Sequence, residues 1–139
     1  MNVSINPSLL ELEENPLVFN TLKAIFELTN KQVDCFLTLR LKKETGSCIK
    51  NLVDNTNSER SIIQKHLKVL LEKGLVIRES VSLSEFNIRC QEHDIENQIK
   101  TNKGYLYIYA SISDEELLIK INETLERWKN ILKGFLISN

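Results

Sequence analysis

The amino-acid sequence predicts a mainly α chain with one β-hairpin, an α+β fold built as a single small unit that ends in a long helix. Three observations carry that expectation. Most segments repeat apolar residues every three to four positions, one segment ("GYLYIYASI") alternates with period two, and an apolar heptad seam starts at Leu118. At 139 residues the chain has room for one domain with a core, and not for two comfortable ones. Its 42% hydrophobic and 27% charged residues are ordinary values for a globular protein.

Taken in order, Asn15-Pro16 marks a helix start, because proline restricts the residue before it and suits a first turn. In "PLVFNTLKAIFEL", Leu22, Ile25 and Phe26 can share one face. Thr29 followed by Gln32 fits a capping box, and Val33, Phe36, Leu37 and Leu41 follow as a buried stripe. Gly46 closes that unit, and Ser47 can cap a short helix, "CIKNLVDN", with Ile49 and Leu52 inward. The polar stretch "NTNSE" interrupts, and Asn57 or Ser58 can cap the next helix, expected over about 58–73. Ile62, Ile63, Leu67, Leu70 and Leu71 form its packing face, and Gly74 stops it as a left-handed residue.

"LVIRESVSL" reads as a strand and "GYLYIYASI" as a second, half-buried one, with Tyr105, Tyr107 and Tyr109 on one side and Leu106, Ile108 and Ala110 on the other. Residues 83–103 between them are expected to be an irregular polar loop, so the two strands form a long hairpin. The tyrosine row is expected to cover its neighbours with the hydroxyls toward water. Ser113 with Glu116 is a second capping box, opening a helix in which Leu118, Ile121, Leu125, Trp128, Leu132 and Phe135 recur at heptad steps.

A short helix, a tight polar turn, a longer helix and a hairpin make a winged helix-turn-helix. Charge supports a binding role for it. Residues 31–78 hold ten Lys/Arg against five Asp/Glu, a net +5, while the segments on either side are each −3. A local positive region of this kind attracts phosphate backbones. A recognition helix needs one apolar face for anchorage and a polar, basic face at its first turns that can enter a major groove. Asn57, Ser58, Arg60, Ser61, Gln64, Lys65 and Lys68 occupy that window. Arg60 suits a base edge or a phosphate, Gln64 a base edge, and Lys65 with Lys68 the backbone charge.

The run "SERSIIQKHLKVLLEKGLVIRE" resembles the recognition helix and first wing strand of the archaeal TrmB-like regulators, within the wider MarR/ArsR winged-helix group. Arg60-Ser61, Leu67, Leu70, Gly74-Leu75-Val76 and Arg78 stand where that pattern has them, and "GYLYIYASISDEELL" is similar to the second wing strand entering the terminal helix. The resemblance spans roughly residues 28–136. It implies a sequence-specific regulator of transcription that binds double-stranded DNA as a homodimer. Two departures stand out. The length leaves no room for the sugar-binding domain of full-length TrmB regulators, so sugar sensing is not carried over. The wing carries Glu85, Glu92, Asp94 and Glu96, where a phosphate-touching wing usually shows bases; Arg89, Lys100 and Lys103 are its basic residues, with Arg89 and Lys103 expected to reach DNA.

The division that follows puts the DNA-binding winged helix in residues 1–112 and a dimerisation helix in 113–139. An isolated helix exposing Leu118, Ile121, Leu125, Trp128, Leu132 and Phe135 presents a long apolar stripe, and a second copy is the expected cover. The alternative is a winged-helix module that docks on transcription machinery or another protein complex, an option suited by the mild overall charge and the acidic wing.

The remaining residues point to little chemistry. Cys35, Cys48 and Cys90 are odd in number and irregular in spacing, which suggests no disulfide framework and a reducing cytoplasm. Cys35 and Cys48 are expected in small core sites, and Cys90 as an exposed thiol without a resolving partner. Cys90-x-x-His93 lacks the second ligand pair that a structural zinc site needs. No phosphate loop, metal motif or catalytic set is present, so neither an enzyme nor a cofactor is expected. The N-terminal stretch has no basic region before a long apolar one, and no run of about 18 apolar residues occurs, so neither a signal peptide nor a membrane span is expected.

Overall fold

A computed structural model describes residues 15–42, 45–90 and 106–138. Its elements, in chain order, are α1 (Asn15–Phe26), α2 (Asn30–Leu41), α3 (Ile49–Thr56), α4 (Arg60–Glu72), β1 (Val76–Val81), α5 (Leu83–Cys90), β2 (Leu106–Ser111) and α6 (Asp114–Ser138). The fold is mainly helical with one antiparallel hairpin, a winged helix-turn-helix.

Local signals place most of the boundaries. Glu27 takes the left-handed conformation at the end of α1, and the Leu28 N–H donates back to the Lys23 carbonyl at 3.0 Å. That closure drops Leu28 into the core and turns the chain into Thr29. The Thr29 hydroxyl then accepts from the Gln32 N–H at 3.2 Å, and the Gln32 side chain accepts from the Thr29 N–H at 2.9 Å. Both halves of the expected capping box are made. At the far end of α4 the Leu75 N–H reaches the Leu70 carbonyl and the Gly74 N–H the Leu71 carbonyl, each at 3.0 Å, with Gly74 at φ 73°. This six-to-one plus five-to-two pair is a Schellman ending, and glycine carries its left-handed residue without a Cβ penalty.

α2 runs through the middle of the helical layer, packed by α1, α3, α4 and β2. Val33, Cys35, Phe36 and Leu39 are its buried residues. Leu41, expected in the stripe, is 83% exposed, because its position in the helical turn falls opposite the Phe36–Leu39 face. Ile63, Leu67 and Leu70 of α4 and Leu52 of α3 close on α2 to form one apolar cluster that also takes in Leu75, Val76, Tyr109 and Ile112.

Two capping expectations are corrected. Ser47 does not cap α3; Cys48 sits at that position without a side-chain cap bond, and Ser47 instead pairs with Tyr109. The Ser47 N–H donates to the Tyr109 carbonyl at 2.7 Å and the Tyr109 N–H to the Ser47 carbonyl at 2.8 Å, which adds a one-residue rung to the sheet. Gly46 makes this approach feasible, since a Cβ there would stand 3.1 Å from the Tyr109 carbonyl oxygen at φ 76°. Likewise, neither Asn57 nor Ser58 caps α4. Asn57 is the left-handed end of α3 (φ 56°), the Ser58 hydroxyl turns back to the Thr56 carbonyl, and Glu59 precedes α4 with no side-chain cap.

The hairpin pairs Val76 with Ser111 and runs in register to Val81 with Leu106. Its inner face joins the main cluster, but Ile108 and Tyr109, neighbours on β2, are both buried. Simple alternation with one wet face therefore does not hold. Residues 83–90, expected to be irregular, form α5, and this helix covers the outer face of β2. The Ser82 hydroxyl accepts from the Glu85 N–H at 3.2 Å and starts α5. Phe86 and Cys90, one turn apart, close with Val81, Ile108 and Cys48 into a second small cluster. Cys90 is consequently 2% exposed, not an open thiol, and it is disulfide-paired with Cys48. Cys35 stays a free buried thiol.

α6 is capped as expected, with the Ser113 hydroxyl accepting from the Glu116 N–H at 3.1 Å. A two-pronged pair from Arg40 to the Asp114 carboxylate, with both N···O distances at 3.0 Å, ties its first turn to the end of α2. Leu117 packs against the main cluster, and past Thr124 the helix is open with respect to the other described residues. Thr124 is its one buried residue among those described, and everything from Leu125 to Ser138 is exposed.

Candidate nucleic-acid interface

The sorting of α4 into two faces builds the candidate site. Ile63, Leu67 and Leu70 are essentially fully buried and anchor the helix on α2 and α3. The opposite face carries Arg60, Gln64 and Lys68 in one row at i, i+4 and i+8, with Ser61 and Lys65 in the adjacent row, and all five are exposed. Arg60, Lys65 and Lys68 form no ion pair with another described residue. Among the described residues no carboxylate pairs directly with them, and the three side chains project from a helix anchored in the core. Such an arrangement can hold a polyanion and offer donors to base edges.

Asn57 lies exposed in the three-residue turn before α4, while Ser58 is half-buried. Arg89 does not join them. It belongs to α5, where its guanidinium donates to the Glu79 carboxylate at 2.7 Å and to the Thr45 carbonyl at 3.0 Å. Lys103, together with Lys100, His93, Tyr105 and the acidic residues 92–96, lies outside the described residues.

Between α4, the start of α3 and the hairpin runs a concavity of about 780 Å³. Arg60, Gln64 and Lys68 form one wall, Lys50 and Arg78 add two further cations, and Glu72 is its one acid among the described residues. Lys50 also reaches the Asp54 carboxylate at 3.4 Å, and the Arg78 guanidinium stacks 4.4 Å over the Tyr107 ring. Tyr107 in turn meets Tyr109 edge to face, with centroids 6.3 Å apart. Lys50 and Arg78 were not singled out as binding residues by sequence reading. They sit on different elements, and only the packing of hairpin against α3 and α4 brings them to one surface.

His66 lies on the same helix but contributes no charge near neutrality. Burial, and secondarily the positive charge of Lys31, hold its pKa below the ordinary value, and its Nε2 is buried without a hydrogen-bond partner. Among the described residues no group of three or more His, Cys, Asp or Glu could hold a metal ion. Nor is any described helix long and apolar enough to cross a membrane.

The heptad seam on α6 is presented to solvent. Leu118 is 59% exposed, Leu125 46%, Trp128 40%, Leu132 58% and Phe135 60%, with Ile121 half-buried. Six large apolar side chains thus line one stripe of a 25-residue helix, about 37 Å long, whose C-terminal half is exposed with respect to the other described residues.

No protein-family model matches the chain. An uncharacterised protein of Methanocaldococcus jannaschii is 29% identical over 94 residues, which cover 68% of this chain; the chain spans 58% of that protein's length. Among solved structures, a "Possible transcriptional regulator" from Methanosarcina mazei aligns with a TM-score of 0.67 at 18% identity, covering 87% of each chain. A protein of the thermoacidophilic archaeon Sulfolobus tokodaii aligns with a TM-score of 0.59 at 17% identity, over 88% of this chain and 98% of that one. These likenesses show the winged-helix fold over most of each chain.

Proposed function

We propose that the chain is a transcription regulator that binds double-stranded DNA sequence-specifically as a homodimer. The observation that carries this reading is the outward face of α4: Arg60, Ser61, Gln64, Lys65 and Lys68 exposed together on a helix whose other face is locked into the core. In the proposed mode α4 lies in the major groove. Arg60 and Gln64 address base edges, and Lys65 and Lys68 address phosphates. Lys50 and Arg78, on the flank of the same concavity, extend the positive surface toward the sugar–phosphate backbone. Arg89 has no direct part in this mode, because its guanidinium is committed to Glu79 and Thr45.

Residues up to 112 then serve as the DNA-binding unit and 113–139 as the dimerisation helix. Two copies joined along Leu118, Ile121, Leu125, Trp128, Leu132 and Phe135 present two α4 helices to half-sites spaced by about one turn, roughly 34–36 Å. The Arg40–Asp114 pair supports this arrangement by tying the first turn of α6 to the end of α2 in each copy.

The test is selection of bound duplexes from a random pool, followed by a salt titration of the selected site. Arg60→Ala with Lys65→Ala takes two DNA-facing cations from each copy, and so up to four from the dimer. The salt slope is expected to fall by about 2–4, and affinity by roughly 1–3 kcal/mol for each base-reading side chain removed. If no duplex is enriched, or the double variant binds it as well as the parent, the reading fails. Retained capture of a protein complex by the parent and its loss by the variant would then favour the protein-docking alternative.

A further inference from the structure

Cys48 and Cys90 are 42 residues apart in the chain, yet their Cα atoms lie 5.7 Å apart and their sulfurs are bonded. They connect two elements that have no other covalent route to each other nearby. Cys48 is the cap residue just before α3, the first helix of the helix-turn-helix; Cys90 is the last residue of α5, the helix that overlies the hairpin. Both are almost completely buried, in a cluster completed by Ile108, Val81 and Phe86.

This cluster is separate from the main core, which assembles α1 to α4 and the hairpin without either cysteine. α5 is only eight residues long and exposes Ile88 at 70%. Apart from the sulfur bridge, its described anchors are the Phe86 ring and the hydrogen bonds of Arg89 to Glu79 and Thr45. The bridge therefore fixes a locally weak element and not the domain as a whole. The third thiol provides a contrast: Cys35 sits in the main core, and burial, with a smaller contribution from Asp34, pushes its pKa up to about 12. It is a free thiol and stays inert.

We propose that Cys48 and Cys90 form a reversible redox clip, closed by a small peroxide and opened by a thiol reductant, that locks or frees α5 beside the recognition helix. In closing, one sulfur loses its proton and attacks a peroxide oxygen. The O–O bond breaks, and the departing hydroxide takes up that proton as the first water. The second sulfur then displaces hydroxide from the sulfenic acid; the S–S bond forms, the S–O bond breaks, and the second thiol proton leaves in the second water. The sulfur pair gives up two electrons and the peroxide accepts them. In opening, a dithiol returns two electrons and two protons and is itself left as a disulfide. Both sulfurs have near-zero exposure in the closed state, so a dithiol reaches the bond only when α5 opens locally. The consequence is local, because Phe86 of α5 lines the same concavity as Arg60, Gln64 and Lys68, so freeing α5 remodels that wall. The clip itself does not depend on what the concavity binds.

The experiment uses the full chain, treated with hydrogen peroxide or with dithiothreitol under native conditions, then denatured and alkylated for intact-mass measurement. One alkylated thiol, Cys35, is expected after peroxide and three after dithiothreitol. Hydrogen exchange on the same samples is expected to rise about tenfold or more across residues 83–90 on reduction, while α2 and the core face of α4 stay protected. The Cys48→Ala/Cys90→Ala variant is expected to show the fast exchange under both treatments. Three alkylated thiols after peroxide would remove the oxidation step. One alkylated thiol after dithiothreitol would make the bond a permanent staple, and equal exchange of α5 in both states would show that the bond clips nothing; each of these outcomes overturns the proposal.

Discussion

Shortening Leu132 to alanine tests the dimer most directly. Leu132 lies on the α6 seam with 58% of its surface still open in the single chain. Fully burying a leucine side chain contributes about 1.5–3 kcal/mol, so covering the open half contributes about 1–1.5 kcal/mol. A two-fold interface uses the residue twice, which brings the loss to about 2–3 kcal/mol per dimer and raises the dimer dissociation constant roughly 30- to 150-fold. The control is Glu123→Ala, on the face of α6 opposite the seam, for which no change is expected. Sedimentation equilibrium over a concentration series reads both. A parent chain that is monomeric at every concentration, or equal constants for the two variants, would refute the claim that the seam is what the second copy covers. Circular dichroism of Leu132→Ala should stay that of the parent, since the side chain lies outside both buried clusters of the domain.

The other expectations follow from the domain itself. Gly74→Ala places a Cβ at φ 73°, where its nearest neighbour would be the movable Lys120 ammonium at 3.1 Å, so the cost is conformational and not a clash. A loss of about 1–2 kcal/mol follows, seen as a fall of roughly 3–8 °C in the melting temperature, and Gly74→Asn should recover part of it. His66, whose pKa is lowered by burial, is held neutral by the fold, so its contribution to stability is complete above about pH 6.5 and declines as pH falls through the lowered value. Urea midpoints measured between pH 7.5 and 5 should drop more for the parent than for His66→Gln, and parallel curves would show that the imidazole is not the cause. The salt slope of the Arg60→Ala/Lys65→Ala variant tests the DNA-facing cations independently of the dimer.

Much of this fold was legible along the chain. The Thr29–Gln32 box, the Schellman ending at Gly74 and the Ser113 cap are each decided by residues three to five apart, so the sequence alone states them. The two faces of α4 were equally plain, because helical periodicity sorts Ile63, Leu67 and Leu70 from Arg60, Gln64 and Lys68 without reference to any other element. The same reading misplaced Leu41, assigned Ser47 and Ser58 to caps they do not make, and missed α5. Ser82-x-x-Glu85 ahead of Phe86 was the available signal for α5, but a two-turn helix with one apolar pair hardly differs from a polar loop until something covers it.

What the sequence determined by itself was therefore the kinds of element, their order, and which side of each helix is apolar. Those properties arise from backbone hydrogen bonding and side-chain spacing within a turn or two. Tertiary structure alone decided that Cys48 meets Cys90, that Ile108 and Tyr109 are covered from opposite faces, and that Lys50 and Arg78 flank Arg60. Each of these joins residues from elements far apart in the chain. Their meeting depends on how the hairpin and α5 close over the helices, which no local preference encodes.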